Sequence, residues 1–310
     1  RRACVTIVKG GHRRARGAID YRARMSDSTS ASVLLSLAAL EALIDPTVAV
    51  VRRAAVEVMS RYRSAQTVWD KDGTTAAVEP ASAQNPVTEA DLAADRVLRT
   101  GLLALRPDAG WLSEETTDDP SRLERRLVWV VDPIDGTLEY VEGVDEFAIS
   151  VGLVLDGAVV LAVLLNPATD ELLTAFRGGG VRVQGRAMEP HAARPLQGAV
   201  LLASRTETSR GDFDPFRAAM TIQDVGSTAW KLALVAAGRG DAYFTRKPRH
   251  EWDIAAGVLL ALESGCRVTD LFGQPHRFNQ RSPKVAGVVA AREGVYGGVM
   301  ALIAAAGTLL

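Results

Sequence analysis

The chain has 310 residues, 47% hydrophobic and 24% charged, a composition suited to one large globular domain or two closely joined ones. It contains no uninterrupted apolar run of about 18 residues, which argues against a membrane-spanning helix. The net charge of −1 hides an asymmetry: residues 1–24 carry eight basic side chains and one acid (Asp20), leaving 28 basic against 36 acidic residues and a formal −8 on the rest. Such a body is a poor partner for a nucleic-acid polymer, which needs clustered Lys and Arg.

The basic leader lacks an apolar core with a cleavage site. It is expected to be a misassigned start or an extension, and residues 1–32 are expected to be disordered or extraneous. Residues 33–65 have helical apolar spacing, with a restart predicted at Asp45-Pro46, because Asp caps well and Pro suits the first helical position. Residues 69–84, rich in Asp, Gly, Thr, Ala and Pro, are expected to form a loop or mobile hairpin. A helix is predicted over 89–106, stopped before Pro107.

Strands follow. A short buried one is predicted over 127–131, ending at Asp132. A meander is predicted over 147–155, 158–166 and 171–177, with Asp156-Gly157 as a tight turn. Another strand is expected at 200–204, and helices at 228–237 and 252–264, the last stopped by Gly265. The apolar end, 295–310, is broken by Gly297, Gly298 and Gly307 and reads as a helix packed on the core. Arg177-Gly178-Gly179-Gly180 lacks the Gly-Lys-Ser/Thr ending of a phosphate loop, so a hairpin turn is expected there. This order of elements predicts a layered α+β or α/β architecture, with a half spanning 33–190 and a second spanning 191–310.

Two cysteines, Cys4 and Cys266, and four scattered histidines give neither a disulfide framework nor a zinc-like spacing. The expected setting is a reducing cytoplasm, and any metal should be a hard ion held by oxygen. The acids are arranged to supply that oxygen. Asp132-Pro133-Ile134-Asp135-Gly136-Thr137 follows an apolar, β-branched run and can aim two carboxylates and a carbonyl into one cavity. Carboxylates held that closely raise each other's pKa unless a cation lies between them. Helix capping by Asp135 or Thr137 explains an isolated motif of this kind equally well. Glu114-Glu115 after Trp111-Leu112 could be a solvated turn. Asp253 after Trp252 could be an N-cap, and Thr88-Glu89-Ala90-Asp91 is a helix start.

Taken together these segments resemble the inositol monophosphatase superfamily, the lithium-sensitive magnesium phosphatases. The resemblance spans about 45–291. It rests on Pro86-Val-Thr-Glu-Ala-Asp91, Leu112-Ser-Glu-Glu115, Trp129 through Thr137, Gly226-Ser-Thr228 and Trp252-Asp-Ile-Ala-Ala-Gly257. It implies a layered αβαβα sandwich of the inositol monophosphatase and sugar phosphatase type. It also implies two or three Mg²⁺ ions held by Glu114, Asp132, the Ile134 carbonyl, Asp135 and Asp253, with catalysis by Thr137, Asp91 and Glu114. Thr137 would orient the attacking water, with Asp91 polarising its hydroxyl, and the N–H groups near Gly136 and Thr137 would receive phosphate oxygens. Paired metals suit a phosphate dianion, which repels an anionic nucleophile. A homodimer, common in the family, is compatible with the sequence.

Two rivals are weaker. A haloacid-dehalogenase-type nucleophile needs its two acids two residues apart, whereas Asp132 and Asp135 are three apart. A catalytically silent metal-binding regulator would not need the full ligand set present here. For the substrate, Glu139-Tyr140 and Gly226-Ser-Thr-Ala-Trp-Lys231 resemble the 3′(2′),5′-bisphosphate nucleotidases more than the inositol enzymes. Gly226, Ser227 and Lys231, with Ser204 and Arg205 at a strand end, are therefore expected to bind substrate, and 3′-phosphoadenosine 5′-phosphate is favoured over inositol 1-phosphate. Fructose 1,6-bisphosphate and histidinol phosphate are less favoured. One departure from the family pattern stands out: residues 78–86 lack the Lys usual before the Val-Thr segment, and Lys71 is the nearest candidate.

Overall fold

Helix α1, Leu37–Arg61, opens where the Ser36 side chain accepts a hydrogen bond from the Ala39 N–H. It runs straight through Pro46, so the predicted restart does not occur. Proline removes one backbone donor from the ladder, and the Thr47 hydroxyl bonds the Leu43 carbonyl at 2.7 Å one turn back. A buried stripe of Leu40, Thr47, Val50, Val51, Ala54 and Val58 carries the helix past the interruption. Tertiary packing of one face outweighs the local break. This computed structural model describes residues 35–64, 67–70, 74–77 and 86–307. The basic leader, Cys4, the polar stretch 26–32, Lys71 and residues 78–85 lie outside them.

Strands β1 (Val68–Asp70), β2 (Thr74–Ala77) and β3 (Pro86–Thr88) form a small antiparallel sheet in the order β2-β1-β3. The stretch 69–84, expected to form a loop or mobile hairpin, contributes β2 and the end of β1, an antiparallel pair. Helix α2 (Glu89–Leu105) follows β3 directly. Next come β4 (Gly110–Ser113) and β5 (Leu127–Asp135), the latter running four residues beyond its predicted end. A short helix, α3 (Thr137–Val141), leads into β6 (Ala148–Leu155), β7 (Ala158–Asn166) and β8 (Glu171–Phe176), which form the predicted meander. Asp156 (φ 51°) and Gly157 (φ 83°) make the tight turn between β6 and β7. With β9 (Val181–Val183) and β10 (Arg186–Ala187) these strands complete a seven-stranded sheet in the order β10-β9-β8-β7-β6-β5-β4.

A second sheet is built from β11 (Ala199–Ala203), β12 (Met220–Asp224), β13 (Ala242–Thr245), β15 (Arg267–Thr269) and β17 (Val288–Ala291). Its order is β12-β11-β13-β17-β15; β12, β11 and β13 are parallel and β17 is antiparallel to its neighbours. Between these strands lie α4 (Arg205–Ser209), α5 (Thr228–Ala236), the two-residue β14 (Arg249–His250), α6 (Glu251–Glu263) and β16 (Lys284–Val285). Helix α7 (Tyr296–Ala305) closes the fold.

The layers follow from which faces are buried. Helices α1 and α2 cover one face of the seven-stranded sheet, and α6 packs on its other face across β5–β8. Helices α5 and α6 pack on each other and also on the second sheet, whose far face receives α7. Leu202, Tyr243, Val288 and Ala290 of the second sheet join the core around α5 and α6. Their alternate neighbours Leu201, Phe244, Val289 and Ala291 join the core under α7, as the two-residue strand period requires. The described residues from Ser36 onward therefore form an α+β sandwich with layers in the order αβαβα.

Candidate active site

A defect in the large sheet creates the site. In β5, Asp132 pairs with Ser150 and Asp135 with Ala148, so three steps on one strand match two on the other. A regular pleat would send Asp132 and Asp135 to opposite faces; the bulge, at a proline that cannot donate to the ladder, turns both to one side. Asp132 is buried, and its Oδ1 accepts the Ile134 N–H at 3.0 Å. Gly136 then takes φ +99°, and a Cβ there would lie 3.1 Å from the Glu146 carbonyl and the Ser227 Cβ. The tight left-handed corner starts α3 and brings Thr137 back over the strand end.

The Thr137 hydroxyl lies 3.2 Å from Asp91 Oδ1 and 3.0 Å from the Ile134 carbonyl. Asp91 occupies the third position of α2, and its Oδ2 accepts from the Thr88 N–H (2.8 Å) and the Thr88 hydroxyl (2.6 Å). Thr88 also caps the helix by accepting from the Ala90 N–H at 3.2 Å. Asp91 is thus held by several donors in a buried place.

The other wall comes from α5 and α6. Ser227 (φ 55°) precedes α5; its hydroxyl bonds Asp135, and the Ala229 N–H donates to Asp135 Oδ2 at 2.5 Å. Asp135 therefore also caps a helix, but α5 of the other half rather than the adjacent α3. Asp253, third residue of α6, accepts the His250 N–H at 2.9 Å. Asp132, Asp135 and Asp253 each place a carboxylate oxygen within 4.8 Å of the other two. Glu114, just after β4, lies outside this tight trio; its N–H bonds the Val131 carbonyl at 3.3 Å.

Burial, with charge repulsion added to it, raises the proton affinity of Asp135 and Asp253. Burial pushes the Asp253 carboxyl well above the ordinary carboxylate range, and the charges of Asp135 and Glu114 add to the effect. Burial also raises Asp135, against the opposing bonds from Ser227 and Ala229 and the nearby Lys231 ammonium. Three converging carboxylates with an all-oxygen donor set fit a hard divalent cation, which would relieve this repulsion.

The expected substrate residues lie around this centre in different states. Arg205 bonds Glu146 and sits 3.8 Å from Glu139. Glu146 also accepts the Gly226 N–H at 2.6 Å. Gly226 packs so tightly on Glu139 that a Cβ would lie 2.4 Å from its side chain. Ser204 precedes α4 without a side-chain capping bond. Lys231 is only 3% exposed; its ammonium donates to the Val225 carbonyl at 3.0 Å and lies 5.3 Å from the centre of the Tyr243 ring. Burial lowers its pKa to about 8, opposed by Asp135 and Glu139. Tyr140 is fully buried, donates to the Val58 carbonyl and stacks on Tyr62 at 5.3 Å.

Sequence reasoning did not single out Glu146 or the Ala229 N–H, and read Thr88 only as part of a helix start. A lone Glu between a strand and a loop carries no local signal, and a backbone donor carries none at all. The triple-glycine run is a hairpin turn between β8 and β9, and the Glu263 carboxylate takes the Gly178 and Gly180 N–H groups at 2.9 and 3.0 Å.

The layer order and the carboxylate trio define an αβαβα protein with a site suited to a metal ion. The chain belongs to the inositol monophosphatase family, whose pattern it matches over residues 39–306. It is 39% identical over 200 residues to the inositol-1-monophosphatase of Rhizobium meliloti (strain 1021), covering 60% of this chain and 73% of that protein. It is 33% identical over 221 residues to the Nus factor SuhB of Pseudomonas aeruginosa, covering 68% of this chain and 81% of that one. Among solved structures, the Thermotoga maritima IMPase superposes with a TM-score of 0.73 at 26% identity, covering 85% of this chain and 97% of that one. The chain is accordingly a phosphoric monoester hydrolase, a family that acts on small phosphorylated substrates. Among the described residues, no helix is long and apolar enough to cross a membrane.

Proposed function

We propose that the chain hydrolyses a small phosphate monoester with Mg²⁺ held by Asp132, Asp135, Asp253, Glu114 and the Ile134 carbonyl, which together offer donors for two or three ions. The observation that carries this reading is the convergence of three carboxylates from two elements within 4.8 Å. Bound Mg²⁺ supplies charge neutralisation for the phosphate dianion and lowers the pKa of a water. The remaining work belongs to the chain. Thr137 orients the attacking water through its hydroxyl, which Asp91, fixed by Thr88, polarises by accepting a hydrogen bond from it. The N–H groups of Gly136 and Thr137, at the α3 start, face the phosphate oxygens.

For the substrate, inositol 1-phosphate is the first choice. A curated relative at 39% identity carries the name inositol-1-monophosphatase. Two of the features that favoured a bisphosphate nucleotide are occupied internally, Tyr140 in the aromatic core and Lys231 on the Val225 carbonyl. Hydrolysis of 3′-phosphoadenosine 5′-phosphate is kept as a second reading for one reason: the Arg205 side chain remains 46% exposed at the end of β11 and could meet a second anion. Phosphate release from the two esters at equal concentration, with and without Mg²⁺, tests both. A preference for the inositol ester supports the first choice, and a preference for the nucleotide reverses the order. Metal-independent release from either overturns the mechanism.

A further inference from the structure

The candidate metal site brings four acidic side chains close together. Asp132, Asp135 and Asp253 converge within 4.8 Å, and the Glu114 charge reaches both Asp135 and Asp253. Helix α5 starts against Asp135. Its first turn delivers the Ser227 hydroxyl and the Ala229 N–H to Asp135, and Lys231 follows two residues later on the same helix. The Lys231 ammonium is anchored, not free to sweep: it donates to the Val225 carbonyl at 3.0 Å, rests over the Tyr243 ring, and is 3% exposed. Asp135 and Glu139 are the opposite charges that act on it most strongly. A fully buried cation is costly unless paired, so its placement here calls for an electrostatic partner.

We propose that Lys231 is a built-in counter-cation of the metal centre, a positioning residue that acts through Asp135 and holds divalent-ion affinity down, and not a contact for substrate. The inference rests on the metal reading given above. A fixed positive charge beside Asp135 stabilises the empty carboxylate cluster and repels an incoming divalent ion; both effects weaken metal binding. Two consequences follow. Without Lys231 the metal-free protein is less stable, because like charges lose their compensation. Divalent binding then becomes tighter, because the ion meets an uncompensated site.

The test is calorimetric titration of metal-free protein with Mg²⁺, and with Mn²⁺ as a second probe, for wild type, Lys231→Met and Lys231→Arg. Thermal unfolding is followed at zero and saturating Mg²⁺. Lys231→Met is expected to bind Mg²⁺ at least threefold more tightly and to gain more in melting temperature from Mg²⁺ than wild type does. Lys231→Arg, which keeps the charge, is expected to stay close to wild type in affinity. Unchanged or weaker Mg²⁺ affinity in the Met variant overturns the proposal, as does equal destabilisation with and without Mg²⁺, the mark of a purely structural lysine. A rise in KM for a bisphosphorylated ester at unchanged Mg²⁺ affinity overturns it in favour of a substrate contact. Should Met not fold, Lys231→Gln serves in its place. Absence of Mg²⁺ binding in wild type defeats the metal reading itself, an outcome distinct from unchanged affinity on substitution.

Discussion

Two helix starts in this protein carry an aspartate at the third position, and the two carboxylates have opposite fates. Asp91 on α2 and Asp253 on α6 each bond the backbone N–H three residues earlier, that of Thr88 at 2.8 Å and that of His250 at 2.9 Å. This is the carboxylate half of a capping box, an ordinary way to satisfy helix-end donors. Asp91 then receives two hydroxyls, from Thr88 and Thr137. Asp253 instead faces Asp135 and Glu114, which with burial drive its proton affinity up. The same local motif thus yields, in one place, a carboxylate supplied with hydroxyl donors. In the other it yields a carboxyl whose proton affinity is raised by burial and by neighbouring acids against the pull of His250 and Arg249. What differs is the neighbour brought by the fold: threonines at α2, acids at α6. A carboxylate surrounded by donors is fitted to orient a hydroxyl; a carboxylate surrounded by carboxylates is fitted to hold a cation.

The comparison can be broken by substitutions at the two aspartates. Asp253→Asn should lower Mg²⁺-dependent phosphate release by about a thousandfold or more, because metal ligation supplies several kcal/mol of transition-state stabilisation. The same change removes one of several repelling charges, so the metal-free protein should melt at a higher temperature than wild type. A lower melting temperature would show that Asp253 is satisfied like Asp91. Asp91→Asn should behave in the opposite sense on stability. It leaves hydroxyl donors facing an amide, at a cost of about 2 kcal/mol, and activity should fall by roughly a hundredfold as the Thr137 hydroxyl loses its acceptor. Urea unfolding and initial rates check both.

The pH dependence sharpens the contrast. Asp253 and Asp135 are raised above their ordinary value of 3.8 in the folded state. The folded protein therefore holds these protons more tightly than the unfolded chain does. Their contribution to stability is present at low pH and is lost as pH rises above 3.8 through the folded values. Metal-free protein should lose melting temperature from this source as pH rises, and saturating Mg²⁺ should abolish the trend. A trend unaffected by Mg²⁺ would place the titration elsewhere. The smallest expected effect is at Thr88. Thr88→Ala should cost about 1 kcal/mol for the lost cap, while Thr88→Ser restores it; a hydroxyl at position 88 also keeps Asp91 aimed at Thr137, so the two variants should differ in rate as they do in stability.

Much of the architecture was legible before any coordinates. The meander, the helices over 89–105, 228–236 and 251–263, and the family resemblance rest on periodicity and short acidic motifs that survive in the structure. The misses share a cause, which is that distant packing decides them. Helix α1 passes through Pro46 because a stripe of six residues is buried against other elements. Strand β5 continues through Pro133 because the neighbouring strand β6 accepts a bulge there. Strands β13 and β17 are short and lack a clear polar alternation, so nothing local marks them. Within the site, the acidic positions were legible as acids of a strand end and two helix starts. That Asp135 caps α5 depends on residues 94 positions apart in the chain meeting in space; that Lys231 turns back to the Val225 carbonyl, 6 residues earlier, depends on the burial of its whole helix.

The central claim is that Asp132, Asp135 and Asp253 form one divalent-cation site. Anomalous diffraction from crystals grown with Mn²⁺ in place of Mg²⁺ addresses it directly. The account predicts an anomalous peak bonded to a carboxylate oxygen of each of the three, present in wild type and lost in Asp253→Asn. A wild-type map with no peak among these carboxylates, or with Mn²⁺ bound only elsewhere, would contradict it.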